Sequence, residues 1–374
     1  MRGRVAVTGM GWETPLGDDI ATVWQALLDG ASGITFVPCP VKIRNERAAP
    51  VSSLANLGPR ERFTEMVRRA VGRALLNAEL RGSFGSGEVR TALVIGTSHG
   101  ARLDDPISIA EPPDAWLRGI AADYDFLPIA LSTACSSGAD AILVGAALIR
   151  SGLFERVVCG GADVLTHAKR KAHSTLGTMA TSELRSFDVN RDGTLLGEGA
   201  GIVVLEPECH LHPSSALGFV LGCGAANDAA GLTAPDRHGR GVKLAVRRAL
   251  TDANLDAQDI DIVNGHGSGT PTNDVIEAAA YADIFQTKKP ILFATKGAFG
   301  HSLGATGALE AISVIQALRD RKIPPIVGTS CRLPECTLPL PEAGCQIQGA
   351  RFGLSTTIGF GGFNTAIVFG GTEA

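Results

Sequence analysis

ACSSGADAILVGAALI, residues 134–149, resembles a second stretch of the chain, GHSLGATGALEAISVIQAL, residues 300–318. Both begin with small residues and continue as an apolar run with the three-and-four spacing of a packed helix. Two such helices in one chain predict an internal repeat, in which each half of the chain builds the same α/β unit.

Three further pairs of segments occur in the same order in the two halves. Residues 4–11 match residues 217–224, residues 92–100 match residues 261–269, and residues 157–163 match residues 356–364. Strand-like segments that alternate with helical ones predict mainly parallel, helix-covered sheets, the α/β class. The boundary falls in residues 207–216, which contain prolines and paired serines, so we divide the chain into residues 1–210 and 211–374.

The composition is that of a folded protein with a large core. Of the 374 residues, 45 % are hydrophobic and only 19 % are charged, which argues against disorder. The formal net charge of −4 argues against a nucleic-acid-binding protein. No segment approaches the roughly 18 consecutive apolar residues of a membrane span, so none is expected.

Eight cysteines are scattered along the chain, and none forms a C-x-x-C pair. This pattern argues against a zinc site of the common spacing and is typical of a reduced intracellular protein. The first ten residues lack the apolar core of a signal peptide. We therefore expect a cytoplasmic protein that holds no metal.

Cys135 is the cysteine whose surroundings favour chemistry. It follows a strand-like run and opens the small-residue helix of residues 134–149. The unpaired N–H groups and the dipole of a helix N-terminus stabilise a thiolate, and small neighbours leave room for a substrate. A single cysteine is more often a buried structural residue, but this context favours a nucleophile.

His266 and His301 both occur next to glycines, in NGHGSGT and AFGHSLG. A histidine in a glycine-rich turn is presented to a site more readily than one on an apolar helix face. We place His301 at the position of the second half that matches Cys135 in the first. All three residues lie at strand ends or helix starts, where open α/β sheets place their sites.

Five motifs in order resemble one known family. They are STACSSG at residues 132–138, SFDVNRDGTLLGEGAG at 186–201, GHGSGTPTND at 265–274, TKGAFGH at 295–301 and GFGGFN at 359–364. Together they are similar to the elongating, Cys-His-His β-ketoacyl-acyl-carrier-protein synthases of the thiolase-like superfamily. The resemblance implies a thiolase-like, duplicated α-β-α-β-α layered fold, with the nucleophile in the first half and both histidines in the second.

The resemblance also implies a reaction and a role for each matching residue. Cys135 would carry an acyl chain, and a malonyl thioester would lose CO2 and attack that chain in a decarboxylative Claisen condensation without a cofactor. The residues implied are the catalytic His266, His301 and Lys296, the acidic Glu277 that holds Lys296, the gating Phe360, and Ser268 and Thr270, which contact the carrier's pantetheine arm.

The implied partners are an acyl carrier protein and a second subunit, either an identical copy or a chain-length-factor-like paralogue. Three departures from the family pattern favour a specialised polyene or polyketide pathway over housekeeping fatty-acid synthesis: the short segment of residues 97–134, Ile358 in place of a common Phe, and Phe363 in place of a common Thr. Residues 103–128, rich in Asp and Pro, are predicted to be mostly loop.

Four other functions fit the sequence less well. A chain-length-factor-like subunit without its own activity would have lost the nucleophile, which is present here. A thiolase would carry a second cysteine in a Cys-Gly setting, which Cys345 lacks. An initiating synthase would have Asn in place of His301, and a cysteine hydrolase would not explain Lys296 or the repeat.

Several charged or polar residues have no catalytic context in the sequence. Four arginines at the start of a predicted helix could equally meet an acidic carrier protein or form a solvated face: Arg60, Arg62, Arg68 and Arg69. Four remaining histidines are interpreted as structural or surface residues: His99, His167, His173 and His238.

Overall fold

The computed structural model describes residues 4–80, 89–105, 110–211 and 215–374. The strands in these ranges are β1 (Val5–Glu13), β2 (Thr35–Phe36), β3 (Arg47–Ala48), β4 (Thr91–Gly96), β5 (Leu127–Leu131), β6 (Arg156–Asp163), β7 (Gly199–Pro207), β8 (Gly218–Asn227), β9 (Ile262–Asn264), β10 (Ile291–Phe293), β11 (Phe352–Ile358) and β12 (Phe363–Gly370).

The α-helices in the described ranges are α1 (Ile20–Leu28), α2 (Pro59–Asn77), α3 (Ala115–Ala122), α4 (Ser137–Arg150), α5 (His167–Thr175), α6 (Arg240–Ala253), α7 (Pro271–Ile284), α8 (Lys296–Phe299) and α9 (Thr306–Asp320). Local chemistry explains several starts: Asp19 accepts the Thr22 N–H at the start of α1, and α2 and α7 begin with proline, whose missing N–H costs nothing there.

The sheet order confirms the predicted duplication. Ten strands follow the order β10-β9-β11-β12-β8-β1-β7-β6-β4-β5. Each half contributes five strands to this sheet. Read outward from the central β8–β1 pair, and counted along the chain within each half, they are the first, fifth, fourth, second and third strand. The parallel and antiparallel pairings also correspond, since β4 is parallel to both β5 and β6 as β9 is to β10 and β11. The two halves therefore build the same unit.

The two helices that suggested the repeat form the middle layer. Helix α4 packs on β6 and β4, α9 packs on β11 and β7, and the two helices contact each other. Helix α2 covers β1, and α6 covers β8, on the outer sides. This is the α-β-α-β-α arrangement that the resemblance implied. The division at residues 210 and 211 stays a prediction, with β7 ending at Pro207 and β8 beginning at Gly218.

One segment that was predicted to be mostly loop also contains a helix. Residues 103–128 were predicted to be mostly loop, but they contain α3, and β5 begins at Leu127. Leu117, Ile120 and Ala121 of α3 are buried in a cluster with residues of α2. Little in the sequence indicated this helix, because α3 is short and flanked by turn residues. Its stability comes from packing against α2 rather than from helix propensity.

Backbone contacts at the middle layer predict a large stability effect at Gly161. A Cβ on this residue would lie 2.4 Å from the Gly304 carbonyl oxygen and 2.6 Å from the Gly138 Cα, both backbone atoms. We expect Gly161→Ala to lower the free energy of unfolding by about 1–3 kcal/mol through overpacking. The matched control is Gly119→Ala in α3, where a Cβ meets nothing within 4 Å and stability should rise slightly. Urea unfolding measures both, and equal effects would contradict the prediction.

Candidate active site

A cavity of about 310 Å³ opens at the carboxyl ends of β5, β9 and β11. Cys135, His266 and His301 all line it. The chain therefore brings together the three residues that the sequence singled out, at the edge where parallel strands present their following loops. Other lining residues are His173, Leu176, Gly177, Thr178, Thr194, Thr233, Ala234, Pro235, Ser268, Thr270, Pro271, Thr272, Asn273, Ile358, Gly359 and Phe360.

Cys135 lies in a single 3-10 turn, Ala134–Ser136, directly before α4. Ala134 has a left-handed φ of 53°, an uncommon conformation for a residue with a side chain. The equivalent turn before α9 is Leu303–Ala305, where Leu303 has a φ of 48°. Cys135 is thus equivalent to Gly304, and the predicted match with His301 is wrong by three residues. Both stretches are rich in small residues, so only the turn geometry sets the register.

Burial dominates the ionisation of Cys135. Its side chain is only 4 % exposed, and desolvation raises the pKa of the thiol to about 11. The backbone N–H of Phe360 and the charge of Lys296 act in the opposite direction but do not prevail. Burial therefore opposes the thiolate that the helix N-terminus was expected to stabilise, and it favours the thiol form of Cys135 in the resting site.

His301 and His266 face each other edge to face, with ring centroids 5.2 Å apart. Burial, followed by the charge of Lys296, lowers the pKa of both imidazoles well below its usual value, so both are neutral. The Thr306 hydroxyl group lies 3.0 Å from His301 Nδ1, and the Leu303 N–H donates to the same nitrogen over 3.2 Å. Because Nδ1 accepts this bond, the ring proton lies on Nε2, and Nε2–H is left to donate to a substrate oxygen.

Lys296 begins α8 and is 1 % exposed. Its Nζ donates to the backbone oxygen of His266 and to Glu310 Oε1, the latter over 2.5 Å. Glu310 lies on α9, and burial raises the pKa of its carboxyl group to about 7, although the charge of Lys296 opposes this. The lysine thus links the His266 turn to the middle-layer helix.

The expectation that Glu277 holds Lys296 is wrong. Glu277 instead accepts the backbone N–H groups of His266 and Gly267, over 2.6 and 2.9 Å, and the hydroxyl of Tyr281 over 2.6 Å. Burial, with the nearby Asp274 carboxyl group adding to it, raises the pKa of Glu277 to about 7. Glu277 therefore fixes the backbone of the His266 turn, and Glu310 pairs with the lysine.

Ser268 and Thr270 lie beyond His266 on the same cavity wall. Their hydroxyl oxygens are 2.9 Å apart, and Thr270 caps α7 by accepting the Asn273 N–H. The turn that carries them is held by Asp274, which accepts the Gly269 N–H over 3.1 Å. Two hydroxyl groups are thus presented beside His266, and their contact with a pantetheine arm stays a prediction.

Phe360 lies in the turn between β11 and β12, where Gly361 and Gly362 have φ values of 78° and 79°. Such left-handed backbone suits glycine and allows the turn to bend over the cavity. The Phe360 ring stacks on the ring of His173. Of the two departures noted in this motif, Ile358 lines the cavity, whereas Phe363 is 38 % exposed and lies elsewhere.

The four arginines of α2 that could meet a carrier protein have partners within the chain. Arg60 pairs with Asp105 and Glu111, and Arg62 with the buried Glu198. The other two pair with nearby acids: Arg68 with Glu65 and Asp123, and Arg69 with Glu65. These pairs favour the structural interpretation of this basic run over a carrier-protein contact.

Comparison with known proteins gives the family. The model described as "Beta-ketoacyl synthase, N-terminal domain" matches residues 2–104 and 127–210, and "Beta-ketoacyl synthase, C-terminal domain" matches residues 217–330. The chain belongs to the β-ketoacyl synthase family.

Relatives of this β-ketoacyl synthase match along its whole length. It is 30 % identical to the 3-oxoacyl-[acyl-carrier-protein] synthase 2 of Mycobacterium bovis, over 98 % of this chain and 97 % of the relative. It is 28 % identical to the enzyme of the same name from Staphylococcus aureus strain COL, over 99 % of each. The ishigamide ketosynthase/chain length factor structure matches at 28 % identity with a TM-score of 0.88, over 99 % of this chain and 100 % of that one.

Sequence reasoning missed two residues of the synthase site. Glu310 is an acid within an otherwise apolar helical run, and that pattern could have identified it as a buried partner. His173 was interpreted as structural or surface, yet it lines the cavity. His173 lies on α5, the helix that follows β6, and no sequence motif around it indicated a role in the site. Within the described ranges no cluster of three metal-ligating side chains occurs, and no helix has the length and apolar character to cross a bilayer.

A double-mutant cycle tests which carboxylate pairs with Lys296 in this synthase. We expect Lys296→Met and Glu310→Gln to be coupled by about 0.5–3 kcal/mol, because the two side chains are in direct contact. The matched cycle of Lys296→Met with Glu277→Gln should give a smaller coupling, since no contact joins them. Urea unfolding of each single and double variant gives the energies. A larger coupling to Glu277 would contradict the assignment.

Proposed function

We propose that this chain condenses an acyl group held on Cys135 with a malonyl group on an acyl carrier protein. The observation that carries the proposal is the meeting of one cysteine and two neutral imidazoles in a single cavity. A thiol accepts an acyl group, and a pair of hydrogen-bond donors stabilises an enolate. Together these two half-reactions make a carbon–carbon bond.

In the first half-reaction the Cys135 sulfur attacks the carbonyl carbon of an acyl thioester. The new carbon–sulfur bond forms as the bond to the carrier's pantetheine sulfur breaks, and the thiol proton leaves with that sulfur. The N–H groups of Cys135 and Phe360 are the proposed donors to the tetrahedral oxyanion. The Phe360 N–H already points at the Cys135 sulfur in the resting site.

In the second half-reaction a malonyl thioester loses CO2. The carbon–carbon bond to the carboxylate breaks, and its electron pair moves to the thioester oxygen to give an enolate. His301 Nε2–H, whose proton position the Leu303 N–H fixes, donates to this oxygen together with His266. The enolate carbon then attacks the acyl carbonyl and a new carbon–carbon bond forms as the bond to the Cys135 sulfur breaks, which yields a β-ketoacyl thioester. The sulfur leaves as a thiolate and takes up one proton from solvent to restore the resting thiol.

A basic patch beside the cavity suits an acidic carrier protein. It consists of Lys42, Arg44 and Lys171, all exposed. Lys171 Nζ donates to the Lys42 backbone oxygen, and the Arg44 N–H donates to Ser174 of α5, the helix that carries His173 to the cavity. Within the described ranges none of the three forms a salt bridge with a carboxylate, so their charge is available to a partner.

We propose that the partner subunit is a second copy or a chain-length-factor-like paralogue, and that the pathway is a specialised polyene or polyketide one. The short segment of residues 97–134 and Ile358 in the cavity wall support the specialised pathway. The similarity to a ketosynthase/chain length factor structure supports the paralogue. Eight free cysteines support a reducing, cytoplasmic location.

Reconstitution tests the proposed reaction. The protein is incubated with an acyl-carrier-protein thioester and malonyl carrier protein, alone and with a candidate paralogue. We expect one CO2 released for each β-ketoacyl product and an acyl adduct on Cys135 as the intermediate. Absence of product with every acyl donor and partner, or an adduct on another cysteine, would overturn the proposal.

A further inference from the structure

His173 stacks against Phe360 at the cavity wall. The two ring centroids are 5.4 Å apart and the ring planes differ by 19°, which is an offset-stacked arrangement. His173 belongs to α5, and Phe360 to the turn between β11 and β12. The stack therefore joins two separate elements that border the same cavity.

The His173 ring is held firmly from its own side. Its Nδ1 lies 3.0 Å from Thr178 Oγ1, and that hydroxyl group also lies within hydrogen-bond distance, 3.2 Å, of the His173 carbonyl oxygen. If the hydroxyl donates to the carbonyl, its oxygen accepts the Nδ1–H, which sets both the tautomer and the ring plane. The residue is 7 % exposed, so neighbouring atoms also restrict the ring.

The imidazole is a neutral, flat partner for the phenyl ring. Burial, followed by the charge of Lys169, lowers the pKa of His173 to about 4. Phe360 is less confined, since it is half-buried and follows a glycine and precedes two more. Of the two stacked rings, Phe360 is therefore the more exposed, and His173 is the more constrained by its neighbours.

We propose that His173 is a positioning residue that holds Phe360 over the cavity by stacking, and that it thereby sets which acyl chains reach Cys135. The inference rests on the proposed acylation of Cys135. A long chain must displace the phenyl ring and break the stack, whereas an acetyl group need not. The stack thus favours short donors over long ones, and its loss should benefit long donors most.

The test compares His173→Leu, which fills a similar volume without a ring, with His173→Phe, which keeps a stacking ring. Acylation of Cys135 is followed by mass spectrometry with acetyl- and octanoyl-carrier protein, and selectivity is the acetyl-to-octanoyl ratio of kcat/KM. We expect His173→Leu to lower this ratio about 2- to 10-fold. We expect His173→Phe to stay within about twofold of the unaltered protein. The control is His210→Ala, an exposed histidine that does not line the cavity.

Two results would overturn the role of His173. One is an unchanged ratio in His173→Leu. The other is an equal fall in His173→Leu and His173→Phe, which would mean that the imidazole acts other than by stacking. If His173→Leu does not fold, Phe360→Leu removes the same stack from the other ring and should lower the ratio likewise. Failure of the unaltered protein to be acylated by either donor would instead reject the proposed function itself.

Discussion

Cys135→Ala is expected to abolish condensation while leaving malonyl decarboxylation intact. The sulfur is the atom that would hold the acyl chain. Its loss should lower the rate of the first half-reaction by about 10⁴-fold or more, as expected for a missing nucleophile. His266 and His301 remain to stabilise the enolate, so CO2 release should persist without a β-ketoacyl product. Mass spectrometry of the acyl adduct and a radiolabelled CO2 assay measure the two half-reactions separately.

The control for this prediction is Cys331→Ala, which removes an exposed cysteine that does not line the cavity. It should retain both half-reactions. An acyl adduct that persists in Cys135→Ala would show that another cysteine is the nucleophile. A loss of decarboxylation as large as the loss of acylation would show that Cys135 also acts in CO2 release.

His301→Ala is expected to give the opposite result. Removing one preorganised donor to a developing oxyanion costs about 2.7–4 kcal/mol, or about 10²- to 10³-fold in rate. Decarboxylation should fall by that factor, whereas acylation of Cys135 should change by less than about tenfold. The reason is that, in the proposed reaction, the oxyanion of the first half-reaction is stabilised by the N–H groups of Cys135 and Phe360 rather than by an imidazole.

A variant that keeps a hydrogen-bond donor at residue 301 tests the role of the His301 Nε2–H directly. His301→Gln keeps a side-chain amide that can donate a hydrogen bond, so it should recover part of the lost decarboxylation. His210→Ala, at an exposed site after β7, should leave both half-reactions unchanged. An equal loss of acylation and decarboxylation in His301→Ala would assign His301 to proton transfer from the Cys135 thiol instead.

The convergence of Cys135, His266 and His301 could be predicted because each follows a strand or opens a helix. In a sheet with parallel strands such positions meet at one edge, whatever the details of packing. The partner of Lys296 could not be predicted in the same way. Glu277 and Glu310 both lie on helices with buried faces, and which one reaches the lysine depends on where the fold places α7 and α9 relative to Lys296.

The α4 helix illustrates what can be inferred from sequence, since its residue pattern suggested the repeat. The order of residues was enough to infer that the chain repeats one α/β unit, because small and apolar residues recur at matching positions. It also placed a cysteine directly before one of the paired helices, and the motifs around it indicated the reaction. These are properties of local spacing, which the order of residues carries directly.

Three features depend on the folded arrangement of the chain: the raised pKa of Cys135, the partner of Lys296, and the contact between His173 and Phe360. A helix N-terminus lowers a thiol pKa, but burial raises the pKa of Cys135 to about 11, and burial is not a local property. The stack joins residues 173 and 360, which are far apart in the chain. Desolvation and ring contact depend on distances through space, which the fold alone sets.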